Sequence, residues 1–206
     1  MRSSTKFLCL ILIAALLSWG VPAGAVLNSF DTASVLEKGN KSATLGISGA
    51  EDIFSIFGKG RYGLSPGLEA NGKFGYLHTD VSKSSDGIIL GIGGKYRAAF
   101  FKNPSYPEVA ITGNYDLGFG DGRVLHSLTG GILLSRTFNL RGHTFSLTPY
   151  GGVDLEVLGG SLNDDTDILF HLILGAEVPL NEHIYLTGEL KIGGNPSIGL
   201  SGSYKF

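Results

Sequence analysis

Residues 197–206, at the end of the chain, read SIGLSGSYKF and show the pattern that decides the fold. Ile198, Leu200, Tyr204 and Phe206 occupy four of the five even-numbered positions, and Ser, Gly or Lys stands between them. Successive side chains of a β-strand point to opposite faces, so this alternation predicts a strand with one apolar and one polar face. An amphipathic helix would instead repeat its apolar residues every three or four positions.

The same period of two recurs along the chain and predicts ten strands, separated by short turns. Ser65-Pro66-Gly67 and Gly120-Asp121-Gly122 are typical of such turns. The predicted strands are residues 42–49, 56–64, 68–79, 87–100, 108–119, 126–138, 143–158, 167–180, 184–192 and 197–206. We therefore predict an all-β fold, a closed antiparallel up-and-down barrel, with eight or twelve strands as the alternatives to ten.

The second face of these strands is rich in charge and in glycine. Its charged or titratable residues are Lys59, Arg61, Glu69, Lys73, Lys95, Arg97, Asp116, Asp154, Glu156, His171, Glu177, Glu189, Lys191 and Lys205. A soluble barrel would bury the apolar face, whereas a membrane barrel turns that face to lipid. The predicted strands are mostly long enough for the roughly 9–11 residues of a tilted span. We therefore predict a transmembrane barrel with these charges in its lumen, and keep a soluble periplasmic barrel as the alternative.

The last strand also carries a family resemblance. A final Phe206, an aromatic Tyr204 at the third-last position and alternating apolar residues upstream resemble the terminal β-signal of bacterial outer-membrane proteins. The resemblance implies the bacterial outer membrane as location and recognition by the barrel-assembly machinery. It also implies outer-membrane lipids and lipopolysaccharide as surroundings. The size is similar to that of small barrels with eight to twelve strands.

The N-terminus reads as a secretory signal. Arg2 and Lys6 precede an apolar run, residues 7–19, and Ala23-Gly24-Ala25 is typical of a cleavage site. We expect residues 1–25 to be removed, leaving one domain, residues 26–206. The only cysteine, Cys9, lies in the signal, so the mature chain has no disulfide or thiolate site. Without Arg2 and Lys6 acidic residues outnumber basic ones, which disfavours nucleic acid as a partner.

Few residues suggest chemistry. His126-Ser127 invites comparison with outer-membrane lipid A deacylases, which are similar small barrels with a His-x-Ser pair. Here the two residues are adjacent, so they are expected to point to opposite faces. Residues 163–167, NDDTD, and His78-Thr79-Asp80 carry ligands that metals use, but we read them as a solvated loop and a strand end. We expect no catalytic residue, no metal site and no cofactor.

The lumen charges are the most informative feature for function. Basic residues dominate the predicted second to fourth strands and acidic residues the fifth to eighth, so the two arcs face each other. We predict that Arg61, Lys95 and Arg97 reach across towards Asp154, Glu156 or Glu177. The sequence favours a small outer-membrane barrel, either structural or a narrow passive pore. The alternatives are a lipid-modifying enzyme and a soluble ligand-binding barrel.

Overall fold

Ten long antiparallel strands form the wall of a closed barrel in the computed structural model. The structure describes residues 28–50, 53–79, 85–98, 106–120, 123–139, 146–160, 166–194 and 196–206. The predicted signal peptide lies outside the described residues. The strands are β1 (Lys41–Gly49), β2 (Ile53–Ser65), β3 (Leu68–Thr79), β4 (Ser85–Arg97), β5 (Glu108–Gly120), β6 (Arg123–Ser135), β7 (Ser146–Gly160), β8 (Asp167–Pro179), β9 (Ile184–Gly193) and β10 (Ser197–Lys205). No helix in these parts of the chain is long and apolar enough to cross a membrane.

The first and last strands close the barrel. β1 pairs with β10 from Ser42↔Lys205 to Gly49↔Ile198, while every other strand pairs with its neighbours in sequence. The two-residue ladder Phe138–Asn139 extends the β6–β7 hairpin beyond the wall. Closure leaves the wall without a free strand edge, which the hydrocarbon of a membrane would not tolerate. The predicted fold class and the number ten are confirmed.

The strand ends define two rims. We call the end where β1 begins and β10 finishes the terminal rim, and the other end the opposite rim.

The predicted bounds of β3 match the observed ones, whereas the predicted start of β6 lies three residues too late. Gly120 pairs with Arg123, so only two residues connect β5 to β6. An Asp-Gly pair favours such a two-residue hairpin, which keeps both strands paired up to the turn.

The two faces of the wall differ as a membrane requires. Leu45 and Ile92 on the exterior are each 68% exposed, whereas Lys95 and Glu69 on the interior are 2% and 1% exposed. Leu90, Leu134, Val153 and Leu174 belong to the apolar face that was predicted to meet lipid, and all four lie exposed on the exterior. Apolar residues outside and charges inside are the arrangement of a transmembrane β-barrel.

Aromatic side chains gather at the terminal rim, where the chain ends. Tyr204 stacks on His183 with ring centroids 5.5 Å apart, and Phe206 meets Tyr204 edge-on at 4.8 Å. Both residues of the predicted β-signal are exposed, and the Phe206 amide donates to the Lys41 carbonyl at 3.0 Å. Such aromatic residues suit the interface between hydrocarbon and water. Recognition of this end by the assembly machinery remains a prediction.

Candidate functional site

A segment that precedes the first strand runs inside the barrel. We call residues 28–36 the plug. Its buried residues are Asn28, Phe30, Asp31, Thr32, Ala33 and Val35. The lumen of a ten-strand barrel is wider than the eight-strand lumen that wall side chains fill, which leaves room for one extended segment. The plug turns the interior into a packed core.

A turn at the terminal rim joins the plug to β1. The Asn40 amide donates to the Glu37 carbonyl at 3.0 Å, and Gly39 takes a φ of 88°. A left-handed φ at the third position of a β-turn favours glycine. The Gly39 amide also donates to the Gly63 carbonyl of β2 at 2.9 Å. The chain therefore leaves the lumen at the rim and enters the wall directly.

A carboxylate of the wall holds the far part of the plug. Glu189 of β9 accepts hydrogen bonds from the amides of Ser29 and Phe30, both at 2.8 Å. The Tyr150 hydroxyl donates to the same carboxylate at 2.9 Å. Phe30 has a φ of 49°, a left-handed conformation that aligns successive amides towards one anion. Deeper towards the opposite rim, Ser197 donates to the Asn28 side chain at 2.8 Å.

Two apolar clusters of the lumen include plug residues. Phe30 stacks on Phe57 at 5.6 Å between ring centroids. A Cβ atom at Gly199 would collide with the Phe30 ring, and one at Gly46 would collide with the Phe57 ring. Leu77, Ile89 and Leu158 complete this first cluster. Ala33 belongs to a second cluster, with Ala110, Leu133, Tyr150 and Ile173. Glycine on the inner face thus provides the space in which an aromatic ring of the plug packs.

The carboxylate of Asp31 sits among three cationic side chains of the wall. We call Lys59, Arg61 and Lys95 the basic cluster. The Lys59 ammonium lies 2.5 Å from Asp31 Oδ2, while Lys95 Nζ and Arg61 Nε lie 3.6 and 3.8 Å from Oδ1. Burial alone would raise the pKa of Asp31, but the charges of Lys59, Lys95 and Arg61 lower it below its ordinary value. Asp31 is therefore ionised at neutral pH.

The wall supplies its own carboxylate to the same cluster. Arg61 binds Glu69 with two parallel hydrogen bonds of 2.8 Å, the strong forked geometry of guanidinium and carboxylate. Glu69 also accepts from the Leu36 amide of the plug at 2.8 Å. Lys95 donates to the Thr32 carbonyl at 2.9 Å, and Arg97 Nη2 to the Val35 carbonyl at 3.1 Å. Basic side chains of β2 and β4 therefore hold the plug by its backbone as well as by Asp31.

Other charges pair elsewhere on the wall. Lys73 lies 3.1 Å from Asp116, and Lys191 lies 3.2 Å from Asp154. The His171 ring donates to Asp154 at 2.8 Å. Nearer the terminal rim, Lys205 lies 3.5 Å from Glu177.

Of the fourteen charged or titratable residues predicted to line the lumen, eleven are buried, and Arg97, Glu177 and Lys205 are partly buried. The predicted partners of Arg61, Lys95 and Arg97, however, were wrong. Their contacts in the described residues are to Asp31, Glu69 and plug carbonyls rather than to Asp154, Glu156 or Glu177. The plug occupies the space across which those side chains would have had to reach.

Sequence reasoning missed the plug. The sequence held one signal for it, because the polar face of the predicted strands carries seven basic residues and six acidic ones. A closed lumen with an unpaired charge is costly, so one further carboxylate was required. Asp31 is that carboxylate. The apolar residues of the inner face, such as Phe57 and Ile89, were missed as well.

The residues considered for chemistry do not assemble a catalytic set. His126 is exposed and its ring bonds the Tyr115 hydroxyl at 2.7 Å, whereas Ser127 is buried and donates to Glu156 at 2.5 Å. The two adjacent residues point to opposite faces, as predicted. His78 bonds Asp86 at 2.7 Å at the opposite rim. Asp80 and residues 163–165 lie outside the described residues. Among the residues that the structure describes, no group of three His, Cys, Asp or Glu side chains is placed to hold a metal ion.

Open space remains in the described lumen. A polar vestibule of about 770 Å³ opens at the terminal rim, with plug residues Thr32 and Ser34 among its lining residues and Glu177 and Lys205 at its wall. A much smaller cavity of about 20 Å³ lies between Lys59, Lys73 and Lys191. The small cavity is the size of one water molecule, whereas the vestibule has the volume of a ligand pocket.

Comparisons with known proteins find barrels. No protein-family model matches the chain, and no curated protein does. A bacterial polysaccharide outer membrane secretin is 11% identical with a TM-score of 0.49, covering 75% of this chain and 57% of that one. This chain thus spans little more than half the length of the secretin. The N-terminal β-barrel domain of Pseudomonas aeruginosa OprF is 11% identical with a TM-score of 0.39, covering 83% and 100%. KdgM porin is 10% identical with a TM-score of 0.40, covering 80% and 99%.

Likeness at this level concerns the shape of the barrel and says nothing of a solute or an activity. The location follows from the chain itself. A closed antiparallel barrel of even strand number, apolar outside and charged inside, is the architecture of bacterial outer-membrane proteins. The chain is an outer-membrane β-barrel.

Proposed function

We propose that the chain is a structural outer-membrane barrel whose lumen is held closed by its own plug. Conduction through the lumen requires the plug to leave. The observation that carries this proposal is the burial of six plug residues inside the wall.

The contacts of the plug support a closed resting state. Side chains from β2, β3, β4, β6, β9 and β10 bind the segment, so it is anchored around most of the circumference. Displacing it would leave the basic cluster with Glu69 as its only close carboxylate in the described residues. An unpaired buried charge is costly, so a dry, empty lumen is unfavourable.

Planar-bilayer conductance tests this proposal. The unmodified mature protein should stay near the baseline, and a variant lacking residues 28–36 should conduct in steps. Asp31→Asn should give brief openings, because it removes the carboxylate charge among three cations. Asp86→Asn is the matched control, since Asp86 is exposed at the opposite rim. A wide ohmic pore in the unmodified protein would show that the plug does not close the barrel.

Two rival functions are less well supported. A lipid-modifying enzyme needs a nucleophile and a base within reach of each other, but Ser127 and His126 lie on opposite faces of β6. A soluble ligand-binding barrel needs an apolar interior and a charged exterior, the reverse of the observed faces. Lipid A mass spectrometry with and without the gene would test the enzyme.

A further inference from the structure

The surroundings of Asp31 have the form of an anion site that the chain fills with its own carboxylate. Three cationic groups converge on the carboxylate, and the side chains of Lys59, Arg61 and Lys95 are between 1% and 7% exposed. Surface lysines would shift to follow any anion. Here all three belong to the paired strands of the wall, and Glu69 of the wall lies 2.8 Å from Arg61 and 3.4 Å from Lys95, so the cluster is built independently of the plug.

Asp31 fills this site incompletely. One carboxylate oxygen, Oδ2, accepts from Lys59. The other oxygen, Oδ1, is buried without a hydrogen-bond partner, although Lys95 and Arg61 lie 3.6 and 3.8 Å away. An anion with more oxygen atoms than a carboxylate could accept from all three groups at once.

The charge balance agrees with a larger anion. The basic cluster carries three positive charges, and Glu69 offsets one of them through its fork with Arg61. With the plug displaced, two positive charges remain unmatched there, while Glu177 pairs with Lys205 nearer the rim. A phosphate group carries about −1.5 to −2 at neutral pH. Asp31 supplies one negative charge, roughly half to two thirds of this amount.

The vestibule at the terminal rim borders the plug next to the site. Thr32 and Ser34 line the vestibule and follow Asp31 closely in sequence, and Lys95 binds the Thr32 carbonyl. An anion in the vestibule is therefore close to the contacts between the plug and the basic cluster. From this geometry we propose that the basic cluster is a binding site for solutes bearing a phosphate group, and that such solutes compete with Asp31 and release the plug. This inference rests on the proposed closure of the lumen by the plug.

The test uses a single reporter cysteine in the full mature chain. Thr32→Cys places a thiol on the plug at a position that is 4% exposed, and the expected mature chain has no other cysteine. Labelling by a membrane-impermeant maleimide then reports the released plug. Inorganic phosphate at constant ionic strength should raise the labelling rate roughly tenfold over chloride, since a ligand shifts the equilibrium by its differential affinity.

Two further variants separate the possible outcomes. Lys95→Gln should remove most of the phosphate dependence, whereas Lys38→Gln, an exposed residue of the rim turn, should leave it intact. Equal labelling in phosphate and chloride, or a phosphate effect that survives Lys95→Gln, would overturn the anion site. Rapid labelling in every buffer, together with an open pore in bilayers, would instead overturn the closed lumen itself.

Discussion

Phe30 provides the sharpest test of how the plug is held, and we predict that Phe30→Ala releases it. The ring is 5% exposed, stacks on Phe57 and belongs to the same apolar cluster as Leu77 and Ile89. Truncating a buried Phe to Ala costs about 3–5 kcal/mol. The ring meets the Phe57 cluster only when the plug is docked, so the docked state should bear most of this loss.

A cost of about 3–5 kcal/mol corresponds to a change of roughly a hundredfold to several thousandfold in the docking equilibrium. The assay is maleimide labelling of Thr32→Cys, with and without Phe30→Ala. The labelling rate should rise by at least about a hundredfold when the ring is removed. The control is Phe74→Ala on the lipid-facing side of β3, which is 63% exposed and should leave the rate unchanged. Equal protection in the two alanine variants would refute the idea that the ring anchors the plug.

Three further predictions concern the wall, the chain end and the charge of Asp31. Leu90→Arg, near the middle of β4, should destabilise the barrel by about 2–4 kcal/mol in lipid refolding, whereas Leu180→Arg in a rim turn should cost no more than about 1 kcal/mol. Equal costs would mean that the lipid face is misassigned. Deleting Phe206 should impair assembly in cells far more than refolding in detergent, and equal loss in both would argue against a recognition signal. Because nearby cations lower the pKa of Asp31, the contribution of its charge to plug docking is complete above about pH 3.9, the ordinary pKa of Asp. That contribution is lost only as the pH falls through the lowered pKa. Bilayer conductance that rises between about pH 6 and 5 would point to another group.

The wall of the barrel was predictable because its signal is local. In a strand the face of each side chain follows from its position alone, so period two sorted Leu90 from Lys95 without knowledge of any partner. Turn residues then bounded the strands to within a few positions. Closure also followed from physics, since an open sheet in hydrocarbon leaves backbone groups without partners.

The contents of the lumen were not predictable in the same way. Whether Arg61 meets Asp31 or Glu177 depends on which groups lie across the lumen, and sequence spacing does not encode this. The plug itself has neither a strand period nor a helical one. Its sequence, NSFDTASVL, becomes meaningful only when Phe30 is set against the glycines of β1 and β10 and Asp31 against the basic cluster.

The chemistry of the lumen makes plug docking close to all-or-none. A buried ion pair adds little net stability, because the cost of removing both charges from water offsets much of their attraction. An unmatched buried charge, by contrast, is strongly unfavourable. A partly docked plug would expel water from Lys59, Arg61 and Lys95 before Asp31 and the plug carbonyls arrived, so intermediate positions are disfavoured. The lumen therefore has two favourable states: one with the plug in and Asp31 and the plug carbonyls against the basic cluster, the other with the plug out and water around the same side chains. An anion that binds the basic cluster acts only on the second state, and this is why a single small solute would shift the whole segment.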